Sequence, residues 1–398
     1  MTLAKSSVPP SSEWDEATYL SENPDVALAV DAGTMSSGYI HYCNHGRLEG
    51  RRGAFLSTAN NTTLRLTRHC LDPWINFEVS AKGEVRPCCI SSGMGQLEDI
   101  EKQRHAAAFR DLRRSLLSGE LPDMCQRCHI RSMTAVENLE LSVKSLFPPE
   151  QADLLCPGAL AELRVDINEQ CNLRCTYCAV SQPGYQGIPM SETILQKIIE
   201  SLPKQVDKLQ INLNGHGETT YHPSWVSFAK RIQELGAMAT ILSNFAKPFN
   251  DEEIDIFARM RVIQISLDTV DEDLLRDIRR KVSLGTILRN IHKIRIQAFK
   301  RGLNPLWSIS CGIYDKNISG LDDIAVFAIT EGFKSITFWN LVEYPAISED
   351  AVTARSLSSL PKHEREHAAK KIGEVLALLK KHHVFVEIPT DLTGGLSV

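Results

Sequence analysis

The stretch Cys171-Asn-Leu-Arg-Cys-Thr-Tyr-Cys178 follows an alternating apolar run, Leu163 to Asn168, which predicts a β-strand. Three residues separate the first two cysteines of this stretch, and two residues separate the second from the third. Thiolates at this spacing on one loop can ligate three irons of a [4Fe-4S] cluster and leave the fourth iron without a protein ligand. A zinc knuckle and a loop of buried thiols are the alternatives, because cysteine also behaves as a small hydrophobic residue.

This Cys-x3-Cys-x2-Cys loop, with Tyr177 directly before its last cysteine, resembles the signature of the radical S-adenosylmethionine (SAM) superfamily. The resemblance implies that Cys171, Cys175 and Cys178 hold a catalytic [4Fe-4S] cluster, with Tyr177 among the cofactor-binding residues. The open iron would chelate the amino and carboxylate groups of SAM. An electron supplied by a donor such as flavodoxin or ferredoxin would then break the sulfonium and release a 5′-deoxyadenosyl radical.

Composition describes an ordinary soluble protein of 398 residues, with 43% hydrophobic residues, 23% charged residues and a net charge of −5. No basic patch suggests nucleic acid as a partner, and no uncharged stretch is long enough to span a membrane. The N-terminus carries no apolar run after its first charge, so we expect a cytoplasmic protein. Without a secretion signal, eleven cysteines clustered as pairs and a triplet favour metal ligation over disulfides.

Strand and helix signals alternate from residue 160 onward, which indicates parallel β/α units. We therefore predict an α/β fold whose core is a partial (β/α)6 TIM-type barrel over residues 160–345, followed by a helix and strand extension over 346–398. The radical SAM resemblance implies the same architecture. The predicted strands are 163–168, 208–214, 239–244, 262–268, 306–314, 335–342 and a last one at 384–388; the predicted helices lie near 191–202, 224–235, 251–259, 285–300, 319–331 and 362–382.

Loops after the carboxyl ends of barrel strands carry the chemistry of such folds. The loop Asn214-Gly-His-Gly-Glu-Thr-Thr220 resembles the Gly-Gly-Glu motif of the superfamily. That resemblance implies that Gly215 and Gly217 let the backbone approach SAM and that Glu218 accepts a hydrogen bond from its ammonium group. Four residues at the ends of the next two strands are further predicted contacts to the ribose hydroxyls and amino group of SAM: Ser243, Asn244, Ser266 and Asp268. The alternative is that these polar side chains cap the loops.

A second group of cysteines lies before the barrel, in residues 64–135. Cys88 follows a strand and turn, and a Cys-x2-Cys pair follows a later helix, a pattern that resembles the SPASM/twitch type of auxiliary-cluster domain. The resemblance implies one auxiliary [4Fe-4S] cluster, because the second cysteine set of full SPASM domains is missing, and the unit precedes the barrel whereas family members usually carry it afterwards. A four-cysteine zinc ribbon is the alternative. The expected ligands are Cys70, Cys88, Cys125 and Cys128, with Cys89 as a buried spare.

The first residues form two further regions. Residues 1–13 are rich in Pro and Ser and are predicted to be a disordered tail. Residues 14–60 predict a short helical module that resembles a motif of bacterial surface-glycan and adhesin proteins. We expect this module to serve packing, since His41, Cys43 and His45 alone are a weak indication of a metal site.

Alternation along the strands sends apolar side chains toward the helices and a polar set into the barrel lumen. Unpaired buried polar groups cost roughly 1–3 kcal/mol each, so we expect a hydrophilic substrate, SAM or ordered water to satisfy them. Cys311 falls on the helix side, which argues against it as a hydrogen-atom donor. The lumen set is Arg164, Asp166, Asn168, Gln210, Asn212, Asn214, Gln264, Ser266, Asp268, Ser308, Ser310 and Tyr314.

The predicted function is therefore that of a radical SAM oxidoreductase or epimerase acting on a polar small molecule such as a sugar or glycan precursor. If the auxiliary cluster takes the electron of the product radical, the outcome is dehydrogenation; if a hydrogen donor quenches the radical, the outcome is epimerisation. A SPASM-type maturase acting on a ribosomally made peptide is one alternative. A non-catalytic iron–sulfur redox sensor is the other.

Overall fold

The computed structural model describes residues 14–32, 35–46, 49, 51, 53–54, 65–128, 130–151, 153–341, 354–389 and 392. The chain divides into two compact units, residues 1–64 and 65–398. The predicted tail 1–13 lies outside the described residues, as do parts of the predicted regions 14–60 and 346–398. Among the described helices, none combines the length and the apolar character needed to cross a membrane.

The first unit is a small helical module with an aromatic core. Tyr19 is fully buried, and its hydroxyl lies 3.1 Å from Nδ1 of His41. The carboxylate of Glu16 accepts hydrogen bonds from the backbone N–H of Tyr39 at 3.0 Å and from the indole of Trp14 at 2.6 Å. These contacts support the packing role expected for the module. Its helices are α1 (Glu16–Glu22), α2 (Pro24–Asp31) and α3 (Gly38–His41), and a π-helical turn follows at Tyr42–Gly46.

The second unit contains the remaining strands and helices. Its strands are β1 (Leu66–Arg68), β2 (Asn76–Val79), β3 (Val85–Arg86), β4 (Met133–Ala135), β5 (Glu162–Val165), β6 (Gln210–Leu213), β7 (Met238–Ser243), β8 (Val262–Ser266), β9 (Leu306–Ile313), β10 (Ser335–Asn340) and β11 (Phe385–Glu387). Its helices are α4 (Asp72–Ile75), α5 (Ile100–His105), α6 (Ala107–Ser118), α7 (Asp123–Gln126), α8 (Val136–Lys144), α9 (Glu192–Glu200), α10 (Trp225–Glu234), α11 (Asp251–Ala258), α12 (Glu272–Arg279), α13 (Leu284–Lys300), α14 (Leu321–Thr330) and α15 (Lys362–Lys381).

The main sheet of the described residues has nine strands, in the order β11-β10-β9-β8-β7-β6-β5-β2-β3. Strands β5 to β10 are consecutive parallel neighbours, which confirms the predicted α/β fold with a partial barrel core. Each predicted barrel strand and helix is present, with ends shifted by a few residues. The predicted helix-side residues are at most 2% exposed: Leu163, Val165, Ile167, Leu209, Ile211, Leu213, Ile263, Ile265, Leu267, Ile309, Cys311 and Ile313.

Strand β2, which the sequence placed in the auxiliary unit, joins the barrel sheet. It pairs in parallel with β5 and antiparallel with β3. Every residue of β2 is buried, and Phe77 and Val79 lie in register beside Leu163 and Val165. The apolar face of β2 thus continues the apolar face of the first barrel strand, so both strands share one hydrophobic core. The residues that carry the second cysteine group are therefore anchored directly to the barrel.

Helix α12 was missing from the sequence prediction. It begins after Asp271, whose carboxylate caps the backbone N–H of Leu274 at 2.8 Å, and two acidic residues occupy its first turn. Leu275 and Ile278 are buried at helical spacing, whereas the rest of the helix is strongly polar. The helix lies in the loop between β8 and α13 and delivers Arg279 to the end of the barrel that carries the cysteine loop.

Candidate active site

The cysteine loop follows β5 and is tied to the barrel by backbone contacts. Leu173, inside the triplet, is buried, and the N–H of Thr176 donates to the carbonyl of Ile278 at 2.9 Å. Burial raises the pKa of Cys171 to about 11 and that of Cys175 to about 12. Since metals bind thiolates, assembly of a cluster at these half-buried thiols would release protons.

Glu218 connects the predicted SAM-binding residues to this loop. Its carboxylate is buried; Oε1 accepts from the hydroxyl of Ser243 at 2.7 Å and Oε2 accepts from the backbone N–H of Asn244 at 2.8 Å. The side-chain amide of Asn244 donates to Asn172 at 2.9 Å, and its nitrogen lies 3.8 Å from Sγ of Cys171. The structure therefore brings three of the predicted SAM-binding residues together beside the first cysteine.

Gly215 and Gly217 lie where two loops come into close contact. A Cβ on Gly217 would lie 2.6 Å from the carbonyl oxygen of Asn168, and a Cβ on Gly215 would collide with the carboxylate of Asp166. The N–H of Gly217 also donates to the Asn168 carbonyl at 2.9 Å. The glycines thus allow the 214–218 loop to approach the segment after β5. The predicted approach of their backbone to SAM stays a prediction.

Asp268 is engaged from several sides by the chain itself. Arg279 binds its carboxylate with two hydrogen bonds of 2.9 Å, and both side chains are almost completely buried. The hydroxyl of Tyr177 donates to Oδ2 at 2.5 Å, and the N–H of Gly312 donates to Oδ1 at 3.0 Å. This geometry supports a positioning role for Asp268. Its direct contact with SAM stays a prediction.

Tyr177 packs in a cluster of aromatic rings behind the cysteine loop. Its ring centroid lies 5.6 Å from that of Tyr314 and 5.7 Å from that of Trp339. The hydroxyl of Tyr314 is buried and has no hydrogen-bond partner among the described residues. Ser266 is half-buried in β8, in register with Ser310 of β9. Direct contacts of Tyr177 and Ser266 with SAM stay predictions.

Many of the polar lumen groups satisfy one another across neighbouring strands. The side-chain amide of Asn212 donates to Glu162 at 2.6 Å, and that of Gln264 lies 3.4 Å from the hydroxyl of Ser308. In-register parallel pairing sets these side chains beside one another on one face of the sheet. Fewer polar side chains of the lumen therefore lack a hydrogen-bond partner than the sequence predicted.

A buried carboxylate and a histidine form a pair at the carboxyl end of β5 that sequence reasoning missed. Asp166 accepts from the backbone N–H of His216 at 3.2 Å, and its Oδ2 lies 2.9 Å from Nδ1 of the imidazole. This hydrogen bond raises the pKa of His216, whose side chain is 55% exposed. The signal was available, since a histidine stands between the two glycines that precede Glu218.

The second cysteine group lines a cavity of about 60 Å³. The antiparallel ribbon of β1 and β4 sets the segment that ends at Cys70 beside the segment that follows Cys128, and Cys125 lies on α7. Burial raises the pKa of Cys125 to about 11 and raises that of Cys88. All four predicted ligands line this cavity, which supports their assignment to one site.

Two features of this cavity were not predicted. Cys89 also lines it and is exposed, so it is not the buried spare that the sequence suggested. Arg164 of β5 contributes to the lining as well, although alternation assigns this residue to the lumen face of the barrel. Among the described residues, no three His, Cys, Asp or Glu side chains converge closely enough to hold a single metal ion.

A family model described as the radical SAM superfamily matches residues 165–328. This segment begins in β5, contains the cysteine loop and Glu218, and continues into α14. Residues 165–328 form a radical SAM domain. This match implies a [4Fe-4S] cluster and SAM, and the three half-buried thiols of the loop are the donor set that such a cluster needs.

Curated relatives of the radical SAM domain share modest sequence identity with the chain. It is 23% identical over 242 residues to a GTP 3′,8-cyclase of Marinobacter nauticus, covering 58% of this chain and 65% of the relative. It is 30% identical over 186 residues to molybdenum cofactor biosynthesis protein 1 of Homo sapiens, covering 43% of this chain and 26% of the relative. The chain thus spans less than two thirds of the length of these relatives.

Among solved structures, the chain is similar to Streptococcus suis SuiB bound to S-adenosylmethionine. The identity is 14% and the TM-score is 0.43, and the match covers 64% of this chain and 54% of SuiB.

Proposed function

We propose that this chain is a radical SAM enzyme that cleaves SAM reductively at Cys171, Cys175 and Cys178 and abstracts hydrogen from a polar substrate in the barrel lumen. The observation that carries the proposal is the hydrogen-bonded path from Cys171 through Asn244 to Glu218. It gathers thiol ligands and polar groups suited to SAM at one end of the parallel strands. The cluster and SAM, when bound, supply the 5′-deoxyadenosyl radical.

The residues around the cysteine loop have separate tasks in this proposal. Oε1 of Glu218 accepts from the N–H and hydroxyl of Thr220 as well as from Ser243. Among the described residues, only the N–H of Asn244 donates to Oε2. Because a carboxylate oxygen accepts about two hydrogen bonds, Oε2 retains capacity for the ammonium group of SAM. Asp268 and Arg279 hold Tyr177 and the loop in place.

The substrate is proposed to be polar because charged groups border the lumen face beside the cysteine loop. Arg164 pairs with Glu162, and Asp166 pairs with His216. We assign Cys70, Cys88, Cys125 and Cys128 to an auxiliary [4Fe-4S] cluster, and Arg164 connects the lining of that cavity to the lumen face. A cluster at this place can take an electron from a substrate radical, so dehydrogenation is the favoured outcome. Cys311 cannot donate hydrogen for epimerisation, since it is buried on the helix side.

The test is SAM cleavage by the full chain, reconstituted with iron and sulfide without oxygen and reduced with dithionite. We expect formation of 5′-deoxyadenosine, and we expect the triple substitution of Cys171, Cys175 and Cys178 by Ala to abolish it. Cys311→Ala is the matched control, because this cysteine lies outside both proposed ligand sets. Persistent cleavage in the triple variant, or none in the unsubstituted protein, contradicts the proposal.

A nucleotide cyclase is a second candidate, because curated relatives carry the name GTP 3′,8-cyclase. GTP is the probe for this reading. An increase in 5′-deoxyadenosine on adding GTP, with loss of GTP, supports a cyclase; an unchanged rate supports another polar substrate. A peptide maturase predicts stimulation only by a peptide, and a redox sensor predicts no 5′-deoxyadenosine under any condition.

A further inference from the structure

We propose that Arg131 donates a hydrogen bond from its Nε–H to the auxiliary cluster, and that Arg131 and Arg68 together raise the reduction potential of that cluster. The inference rests on the proposed function, since it assigns a cluster to Cys70, Cys88, Cys125 and Cys128. It adds the direction of electron transfer. A raised potential makes the cluster an electron acceptor for the substrate radical.

The first observation is an unpaired donor at the cavity. Arg131 lines the cavity, and its Nε is buried without a hydrogen-bond partner among the described residues. One of its terminal nitrogens donates to Asp72 at 2.7 Å, which fixes the orientation of the guanidinium. A buried, unpaired N–H costs free energy, and cluster sulfurs and thiolates are acceptors that would relieve this cost. Hydrogen bonds to cluster sulfurs are one of the factors that set reduction potential.

The second observation is the balance of charge around the cavity. Its described lining holds three arginines, Arg68, Arg131 and Arg164, against one carboxylate, Asp72. Arg131 pairs with Asp72, and Arg164 pairs with Glu162. Positive charge next to an iron–sulfur cluster favours its reduced form, which carries one more negative charge.

Arg68 adds charge without a carboxylate partner in the part of the chain that the structure describes. Its guanidinium donates to the backbone carbonyls of Cys125 at 2.8 Å, Gln126 at 2.6 Å and Arg131 at 2.9 Å. It therefore holds the Cys125–Cys128 turn against β1 and keeps its full charge beside the ligands.

The consequence is an oxidation in which electrons balance. For a substrate CH–OH group, the C–H hydrogen atom passes to the 5′-carbon of the deoxyadenosyl radical and gives 5′-deoxyadenosine. The hydroxyl proton passes to a base or to solvent, and the remaining electron reduces the oxidised auxiliary cluster. The C–H and O–H bonds break and a C=O bond forms. A cluster of raised potential favours this last transfer over return of the electron to the substrate.

The test measures reduction potential and needs no substrate. The full chain carrying Ala at Cys171, Cys175 and Cys178 leaves the auxiliary cluster as the only EPR-active centre, and its potential is read by titration with dithionite and mediators. We expect Arg131→Met to shift the potential to a more negative value, because it removes the donor and leaves Asp72 without its arginine partner. Arg127→Met is the matched control, since the side chain of Arg127 is 80% exposed, and it should leave the potential unchanged.

Arg131→Lys separates the hydrogen bond from the charge and guards against loss of the fold. Lysine keeps the charge opposite Asp72 but lacks the Nε–H of arginine, so we expect a smaller negative shift than that of Arg131→Met. If Arg131→Met loses its iron, the potential of the lysine variant decides the outcome. Iron retained in the variants with potentials equal to that of Arg127→Met overturns the inference. If the protein with Arg131 unchanged holds no iron at this site, or holds zinc in its place, the auxiliary cluster of the proposed function is contradicted.

Discussion

Replacement of Arg279 by Met should destabilise the second unit strongly, because it leaves Asp268 as a buried carboxylate without its cation. The side chains of Arg279 and Asp268 are 5% and 0% exposed, and two hydrogen bonds of 2.9 Å join them. Removing one partner of such a pair costs about 3–5 kcal/mol. The hydroxyl of Tyr177 and the N–H of Gly312 still donate to Asp268 in the variant, so the cost should fall at the lower end of this range.

The assay is urea unfolding of the full chain, followed by tryptophan fluorescence. Arg276→Met is the control on the same helix, because the Arg276 side chain is 58% exposed and its pairs with Glu272 and Asp273 are superficial; this change should cost only about 0–0.5 kcal/mol. Adding Asp268→Leu to the Arg279→Met variant should recover part of the lost stability, since the uncompensated charge disappears. A loss below about 1 kcal/mol for Arg279→Met, or no recovery in the double variant, refutes the assigned role of the pair.

Three further outcomes follow from the site. Gly217→Ala should lower the free energy of unfolding by about 1–3 kcal/mol, because it forces the cysteine loop away from the 214–218 loop. Gly285→Ala on α13, where a Cβ has room, should not lower the free energy of unfolding. Asp166→Asn should lower the raised pKa of His216 in imidazole NMR titrations; since this pair stabilises the protonated ring, the stability lost in the variant should be largest below pH 6.5 and vanish as pH rises through the folded pKa. Glu218→Gln should weaken SAM binding by about 1–3 kcal/mol at unchanged iron content, measured by the SAM-induced change in the EPR spectrum.

The sequence predicted what local patterns determine. The alternation of Leu163, Val165 and Ile167 identified β5 and its helix-facing side, and the spacing of the three cysteines identified the loop that follows it. The six parallel strands of the barrel, β5 to β10, were predicted from the same kind of apolar alternation.

Long-range contacts could not be read in this way. The position of β2 beside β5 depends on packing between segments more than 80 residues apart in sequence. Asp268 resembled a polar residue at a strand end, and only the placement of α12 revealed that Arg279 occupies its carboxylate. Gly217 was predicted to be important, but its close contact with the backbone of Asn168 and Gln170 could not be read from the sequence.

The central claim is that one iron at Cys171, Cys175 and Cys178 stays open for SAM. The most direct measurement is the EPR spectrum of the reduced protein with and without SAM, in a variant that carries Ala at Cys125 and Cys128 to silence the auxiliary site. We predict that SAM changes the g values of the remaining signal, because its amino and carboxylate groups become ligands of the open iron. A signal that SAM leaves unchanged would contradict the account.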